Sequence, residues 1–411
     1  MNSKHTWLND NDLVVGATGS GKTTSIIIPA IRKTDKSFIC TDTKGNLYRN
    51  NADDLRRRGF EVYLLDLSDP AKSLTSYNPL DYIGRYKVGR RTVWNEKDII
   101  SLSATLSPTQ TCEDIFWDDM ARNIVQMLTA YVLEAFGEKE RNLATVSDVF
   151  KLLSYEMSGQ KKRCSFLEEH SLLHPESFAV RKYQMLRNSA HADRTWACIE
   201  AFTANVLALY DFDGTRSMIT KPSGFRIEDL GKKKCALFVN VSDNDASLRP
   251  LVSTFFTQCF QTLLREADSR PDSRLEVPVR ILLDDYGASS GVIPDFDRII
   301  SVIRSRGIST TVILQNLSQL ESIYGAARSA TVISNCDRLR FLGSSDLATV
   351  SYMSKRFNKP FNQLMELPLD KAYSLVRGQK AQLLTKRLPA APSEAEGGCD
   401  VSECAPDRQP A

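Results

Sequence analysis

Gly16-Ala17-Thr18-Gly19-Ser20-Gly21-Lys22-Thr23 is the stretch on which the fold turns. It fits G-x-x-x-x-G-K-[ST] and stands in the context that pattern requires. The apolar run Leu13-Val14-Val15 precedes it, and a helix-like run over residues 24–31 follows. The glycines let the backbone close on phosphates so that successive N–H groups point inward, and the helix start adds its positive end. Gly16, Ala17, Thr18, Gly19, Ser20, Gly21, Lys22, Thr23 and Thr24 are therefore the candidate nucleotide-binding set. Lys22 is placed to reach the β- and γ-phosphates and Thr23 to hold Mg²⁺, so ATP and Mg²⁺ are the expected cofactors. Pro29 lacks the N–H that would bond back to Ser25, which predicts a bend or an early end to the helix.

Such a loop needs a carboxylate at the end of a buried strand. Val279-Arg280-Ile281-Leu282-Leu283 followed by Asp284-Asp285 supplies it. Asp284 is the candidate for the magnesium shell, and Asp285 for orienting or deprotonating the attacking water. The strand Thr310-Thr311-Val312-Ile313-Leu314 ends at Gln315, a polar amide able to feel the γ-phosphate; a mere capping amide is its plainer reading. Arg304 and Arg306, near a helix end, have two readings. They complement the helix dipole, or one of them contacts nucleotide across a subunit boundary or lines a DNA channel. The triplets Arg56-Arg57-Arg58 and Lys232-Lys233-Lys234 read as exposed loop charge, with phosphate contacts as the sharper alternative.

Working outward, residues 1–111 alternate short β-rich runs with helix-length segments, the signature of βαβ units and a parallel sheet. Residues 112–218 differ. Their only Gly and Pro are Gly137, Gly159, Gly214 and Pro175. Phe116, Met120, Ile124, Met127, Leu128, Tyr131 and Ala135 recur at helical spacing, as do Trp196, Ile199, Phe202, Val206 and Leu209. An all-α domain of four or five helices is expected there. The β-rich pattern resumes over residues 219–387, so the helical zone reads as an insertion into one α/β domain. Residues 388–411 are rich in Pro, Ala, Glu and Gly and read as a disordered tail.

Composition excludes several classes. Over 411 residues, 53 Lys and Arg against 50 Asp and Glu leave a net charge of +3, which argues against a histone-like DNA coat but permits a local basic channel. The apolar runs, such as Ile26-Ile27-Ile28, stop at a proline or a charge. None approaches the roughly 18 to 20 residues a membrane span needs, and the start shows no signal-peptide core. A soluble chain is expected. Nine cysteines at irregular spacing read as reduced thiols rather than a disulfide framework, and Cys399 with Cys404 lacks the further ligands of a metal knuckle. His170 and His174, at i and i+4, read as a solvated helix end.

These residues together resemble the type IV coupling proteins, the DNA-pumping ATPases of conjugation and type IV secretion. The phosphate loop is one matching segment. Thr41-Asp42-Thr43-Lys44-Gly45-Asn46-Leu47 resembles the family's T-D-P-K-G-E-L, departing at Thr43 and Asn46. Ser76-Tyr77-Asn78-Pro79-Leu80 resembles its Y-N-P-L turn, and Phe116-Trp117 opens the helical zone as in family members. The longest match runs from Leu282-Leu283-Asp284-Asp285-Tyr286-Gly287 through Ile303-Arg304-Ser305-Arg306 and Ile313-Leu314-Gln315 to Ser334-Asn335-Cys336-Asp337.

The resemblance implies a RecA-like P-loop NTPase domain with an inserted all-α domain, assembled as a homo-hexamer. It further implies ATP hydrolysis and binding of single- or double-stranded DNA without strong sequence preference. The implied partners are a relaxase, accessory transfer proteins and secretion-channel components. Family members normally carry membrane-spanning helices ahead of the loop, where this chain has fifteen residues. A cytoplasmic chain at the inner face of the membrane, touching it only through partners, is the expectation. The family usually has Glu where this chain has Asp285, which implies weak but nonzero turnover. Two rivals stand beside the motor reading: a nucleotide-binding substrate adaptor with little hydrolysis, and another ring-forming DNA-pumping ATPase.

Overall fold

The computed structural model describes residues 8–89, 91–108, 115–158, 163–189, 193–287 and 292–386. Its strands are β1 (Asp12–Val15), β2 (Ser37–Asp42), β3 (Glu61–Asp66), β4 (Arg85–Val88), β5 (Arg91–Trp94), β6 (Cys235–Asn240), β7 (Val279–Leu283), β8 (Ile308–Leu314), β9 (Arg338–Phe341), β10 (Lys371–Val376) and β11 (Gln382–Thr385). Nine of them form one sheet in the order β11-β10-β9-β1-β8-β7-β2-β6-β3, and β4 with β5 makes a separate hairpin. From β9 to β3 every pairing is parallel; β10 and β11 are added antiparallel.

The central strands are near-continuous apolar runs because both faces of a parallel sheet are covered. One face presents Val14, Phe38, Phe238, Leu282 and Ile313 to the helical run Thr23–Lys33 and the helix Asn46–Arg57. The other presents Leu13, Val15, Ile39, Leu237, Leu283 and Leu314 to the larger core. That core includes buried residues of the helices Arg249–Asp268, Phe296–Val302 and Leu317–Ser334.

Between β3 and β6 the chain leaves the sheet, runs through helices, and returns. Strand β6 then slots between β2 and β3 in register with both, Leu237 opposite Ile39 and Tyr63. Sequence-distant pieces thus build one sheet around the excursion. Among the described residues six α-helices occupy the stretch from Ile115–Ala135 to Asp213–Thr220, against the four or five expected. The extra element is the short Asp213–Thr220. Ile124, Met127 and Leu128 are buried as their spacing requires, as are Trp196 and Ile199, while Phe116 is exposed. The Tyr77-Asn78-Pro79-Leu80 turn is buried at the root of the excursion. Tyr77 Oη donates to Gln258 Oε1 at 2.5 Å, and Asn78 Nδ2 to Arg141 O at 2.8 Å, joining the helical segment to the sheet's covering helix.

Several expectations need correction. His170 is not a solvated helix end: it is 6% exposed, Nε2 lies 2.8 Å from Glu134 Oε2, and Tyr131 packs edge-on against the ring. The helix Ser165–Leu173 turns that face inward, and only His174 is exposed. Pro29 neither ends nor breaks its helix, which continues to Lys33. Thr23–Ile27 adopts π-type bonding, Ile28 N donating to Thr23 O, and the run changes to α just before Pro29. Arg304 and Arg306 lie just past the end of their helix, Phe296–Val302, in a turn. Among the described residues no group of three or more His, Cys, Asp or Glu side chains is placed to hold a metal ion, and no helix is long and apolar enough to cross a membrane. The tail reading, and the readings of Cys399 and Cys404, fall outside the described residues.

Candidate nucleotide site

The loop after β1 is held open by its neighbours. Gly16 N donates to Leu314 O at 3.0 Å and Ala17 N to Gly343 O at 2.8 Å. Gly16 has no room for a side chain, because a Cβ there would lie 2.5 Å from Ser20 Oγ and 2.9 Å from Leu342 Cβ. Gly19 and Gly21 have φ of +78° and +80°, the left-handed region that glycine enters without penalty. Thr18 and Gly19 form the exposed tip; Ser20 and Lys22 are buried. Thr23 and Thr24 open the π-type turn, a form of helix frequent at functional sites.

Lys22 Nζ donates to Gly16 O at 2.9 Å and Ala17 O at 3.2 Å, and lies 3.8 Å from Asp285 Oδ1. Thr23 Oγ1 donates to Asp284 Oδ2 at 2.8 Å, bridging 261 positions of sequence. Loop and acidic strand therefore converge as their motifs predict. Burial pushes the Asp284 carboxyl above its ordinary value; the Thr23 bond draws it down, the neighbouring Asp285 charge pushes it up and Lys22 draws it down. Thr23 and Asp284 are adjacent oxygen donors suited to a hard divalent cation.

Thr41 at the end of β2 carries no role in the motifs, yet it fixes the acidic turn. Asp284 N donates to Thr41 Oγ1 at 2.7 Å, and Thr41 Oγ1 lies 3.2 Å from Asp284 O. Thr41→Val is expected to strand that buried N–H and cost about 1–3 kcal/mol, measured as a lower urea midpoint. Asp285 has φ +47°, and its N–H donates to Asp284 Oδ1 at 3.1 Å.

Gln315 follows β8, which lies between the loop strand β1 and the acidic strand β7. The capping amide is its neighbour: Asn316 accepts from Gln319 N at 3.0 Å at the start of Leu317–Ser334. Gln315, half-buried, donates its backbone N–H to Gln319 Oε1 at 2.9 Å. Gln319 also packs on the acidic turn, since a Cβ on Gly287 would meet its Cβ at 2.9 Å.

Arg304 and Arg306 are not brought to this site. They precede β8, at the opposite end of a seven-residue strand, about 20 Å away by strand rise. Arg306 pairs with Asp268, Nε to Oδ1 at 2.9 Å, while Arg304 is exposed with no side-chain partner among the described residues. Lys386 is a further residue that no motif indicated: it follows β11, yet its Nζ donates to Ser20 O of the loop at 2.8 Å.

A glycine loop on one strand, an Asp pair two strands away and an amide on the strand between them define a RecA-like P-loop nucleotide-binding fold. The sequence narrows this class. The family model for type IV secretory system conjugative DNA transfer matches residues 2–359, and the chain belongs to that family. It is 26% identical to VirD4 of Agrobacterium fabrum (strain C58 / ATCC 33970) over 352 residues, 84% of this chain and 49% of that one. It is 22% identical to the conjugal transfer protein TraG of Escherichia coli over 362 residues, 84% and 54% of the two chains. The chain thus spans about half the length of the curated relatives it matches. Among solved structures, the conjugative coupling protein TrwBdeltaN70 with sulphate superposes at a TM-score of 0.67 with 18% identity, covering 92% of this chain and 86% of that one.

Proposed function

We propose that this chain is the motor portion of a conjugative coupling protein, an ATP-driven DNA translocase that passes a relaxase–DNA substrate toward a secretion channel. Residues 1–111 and 219–387 form its nucleotide-binding domain, and residues 112–218 an all-α insertion. The observation that carries the reading is the 2.8 Å contact of Thr23 with Asp284 beside Lys22 and Asp285, set in a chain of this family. TrwB, of similar fold, has been solved with a non-hydrolysable ATP analogue and with ADP and Mg²⁺.

Thr23 and Asp284 would hold Mg²⁺, which neutralises phosphate charge when bound. The loop amides over residues 16–24 and Lys22 bind and orient the phosphates. Asp285 directs the attacking water, and Gln315 reads the γ-phosphate from the intervening strand. Arg304, being exposed and remote from its own chain's site, acts in trans or on DNA in a ring of six; Arg306, paired with Asp268, ties down the turn that carries it by donating to Val302 O and Ser305 Oγ. The motor works at the inner face of the membrane.

The test is ATP hydrolysis with and without DNA. Stimulation by single- or double-stranded DNA of any sequence, fading as salt rises, is the expected result. Tight nucleotide binding without turnover under every DNA condition overturns the motor reading in favour of an adaptor.

A further inference from the structure

Strand β11 is a four-residue edge strand, every residue of which is exposed, and among the described residues it pairs only with β10. By apolar burial it contributes little. It nevertheless ends on a side chain that is 8% exposed, Lys386. The ammonium donates to Ser20 O at 2.8 Å and to Leu342 O at 3.1 Å, and the Lys386 backbone N–H is fixed on Asp370 O at 2.7 Å. No carboxylate forms an ion pair with it among the described residues. Asp370 favours the ammonium from beyond ion-pair distance, and the two hydrogen bonds go to neutral carbonyls. Burying a cation on such partners is costly, and an arrangement of that kind needs a compensating reason.

The loop supplies one. Its first half is tied by Gly16 to Leu314, the end of β8, and by Ala17 to Gly343, two residues past β9. Its second half, which turns the chain into Lys22 and the helix, has Ser20 N on Ala17 O within the loop and Lys386 from outside it. We propose that Lys386 is a positioning residue for the phosphate loop: it clamps Ser20 from the end of the last described strand and adds a buried positive charge beside the loop that a nucleoside polyphosphate completes. This deepens the nucleotide-binding reading above and rests on it for the ligand, though the clamp itself does not.

Two measurements on the full chain separate the claims. The first is hydrogen exchange of the amides over residues 16–24 without nucleotide. Lys386→Met is expected to speed their exchange while the amides of β1, β8 and β9 keep their protection, and Lys386→Arg is expected to retain loop protection. The second is equilibrium binding of a fluorescent ATP analogue. Lys386→Met should weaken it about tenfold, the scale of a lost charge-assisted hydrogen bond, and Lys386→Arg by less than about threefold. Loop exchange unchanged in Lys386→Met overturns the clamp, as does a rise shared equally by β8 and β9. ATP affinity unchanged in Lys386→Met overturns the charge role. If the unaltered chain binds no ATP, the charge role falls with the nucleotide-binding reading, and the exchange arm still decides the clamp.

Discussion

Lys22→Ala is expected to weaken ATP binding at least about a hundredfold, or roughly 2.7 kcal/mol, and to abolish hydrolysis. Three losses add in one direction. The variant removes the cation aimed at the phosphates, where a hydrogen bond to a charged group is worth about 1.5–3 kcal/mol. It strands Gly16 O and Ala17 O, which the ammonium holds at 2.9 and 3.2 Å, so the loop loses internal order. It also leaves Asp285, whose Oδ1 lies 3.8 Å from that ammonium, without this cation while phosphate approaches. The last term can be isolated. If it is real, Lys22→Ala with Asp285→Asn binds ATP more tightly than Lys22→Ala alone, a coupling that a double-mutant cycle measures. Isothermal titration reads the affinities and a thermal melt checks the fold. Binding within threefold of the unaltered chain would remove Lys22 from the site.

The parts of this fold that were legible in sequence are those where chemistry and position are local. The strands β1, β6, β7 and β8 announce themselves because a parallel strand covered on both faces reads as a near-continuous apolar run, while β2, β3 and β9 show as short β-rich runs between helix-length segments. The loop and the Asp pair are legible because each is a short motif at the end of such a strand. Strand β11 and the β4–β5 hairpin escaped notice for the opposite reason, while β10, half-buried around Tyr373, mixes polar and apolar residues without a clear pattern. All four residues of β4 and of β11 are exposed, so pairing alone defines them and composition is silent.

The same division holds within the site. Thr41 acts on Asp284 across 243 positions and Lys386 on Ser20 across 366. Neither residue type at its own place signals that role. Thr41 does sit in the quoted segment Thr41-Asp42-Thr43-Lys44-Gly45, so its strand-end position was visible and only its partner was not. His170 was misread by a related error. Two histidines one helical turn apart look polar and solvated, but the burial of one is decided by Glu134, 36 residues earlier on another helix.

Asp285 carries the second large effect, because geometry and backbone pull on it in different directions. Its φ of +47° is in the left-handed region, which Asp and Asn visit through their short polar side chains and longer residues tolerate less well. Its carboxylate is correspondingly short, about 1.5 Å less in reach than a glutamate. Asp285→Asn keeps the backbone-compatible shape and removes the charge. Hydrolysis is expected to fall about 10²–10⁴-fold, the usual range for a lost general base, with ATP affinity retained within about threefold. Asp285→Glu restores reach at the expense of backbone fit. Its turnover is expected to rise about tenfold, since catalysis responds steeply to displacements of about 1 Å, while its melting temperature falls. The two readouts moving oppositely in Asp285→Glu is the signature of a carboxylate placed for stability of the turn and short of its optimal catalytic reach. Single-turnover hydrolysis and a thermal melt on the three proteins decide it. Equal rates in all three would take Asp285 out of the chemistry and leave its charge with a single task, balancing Lys22.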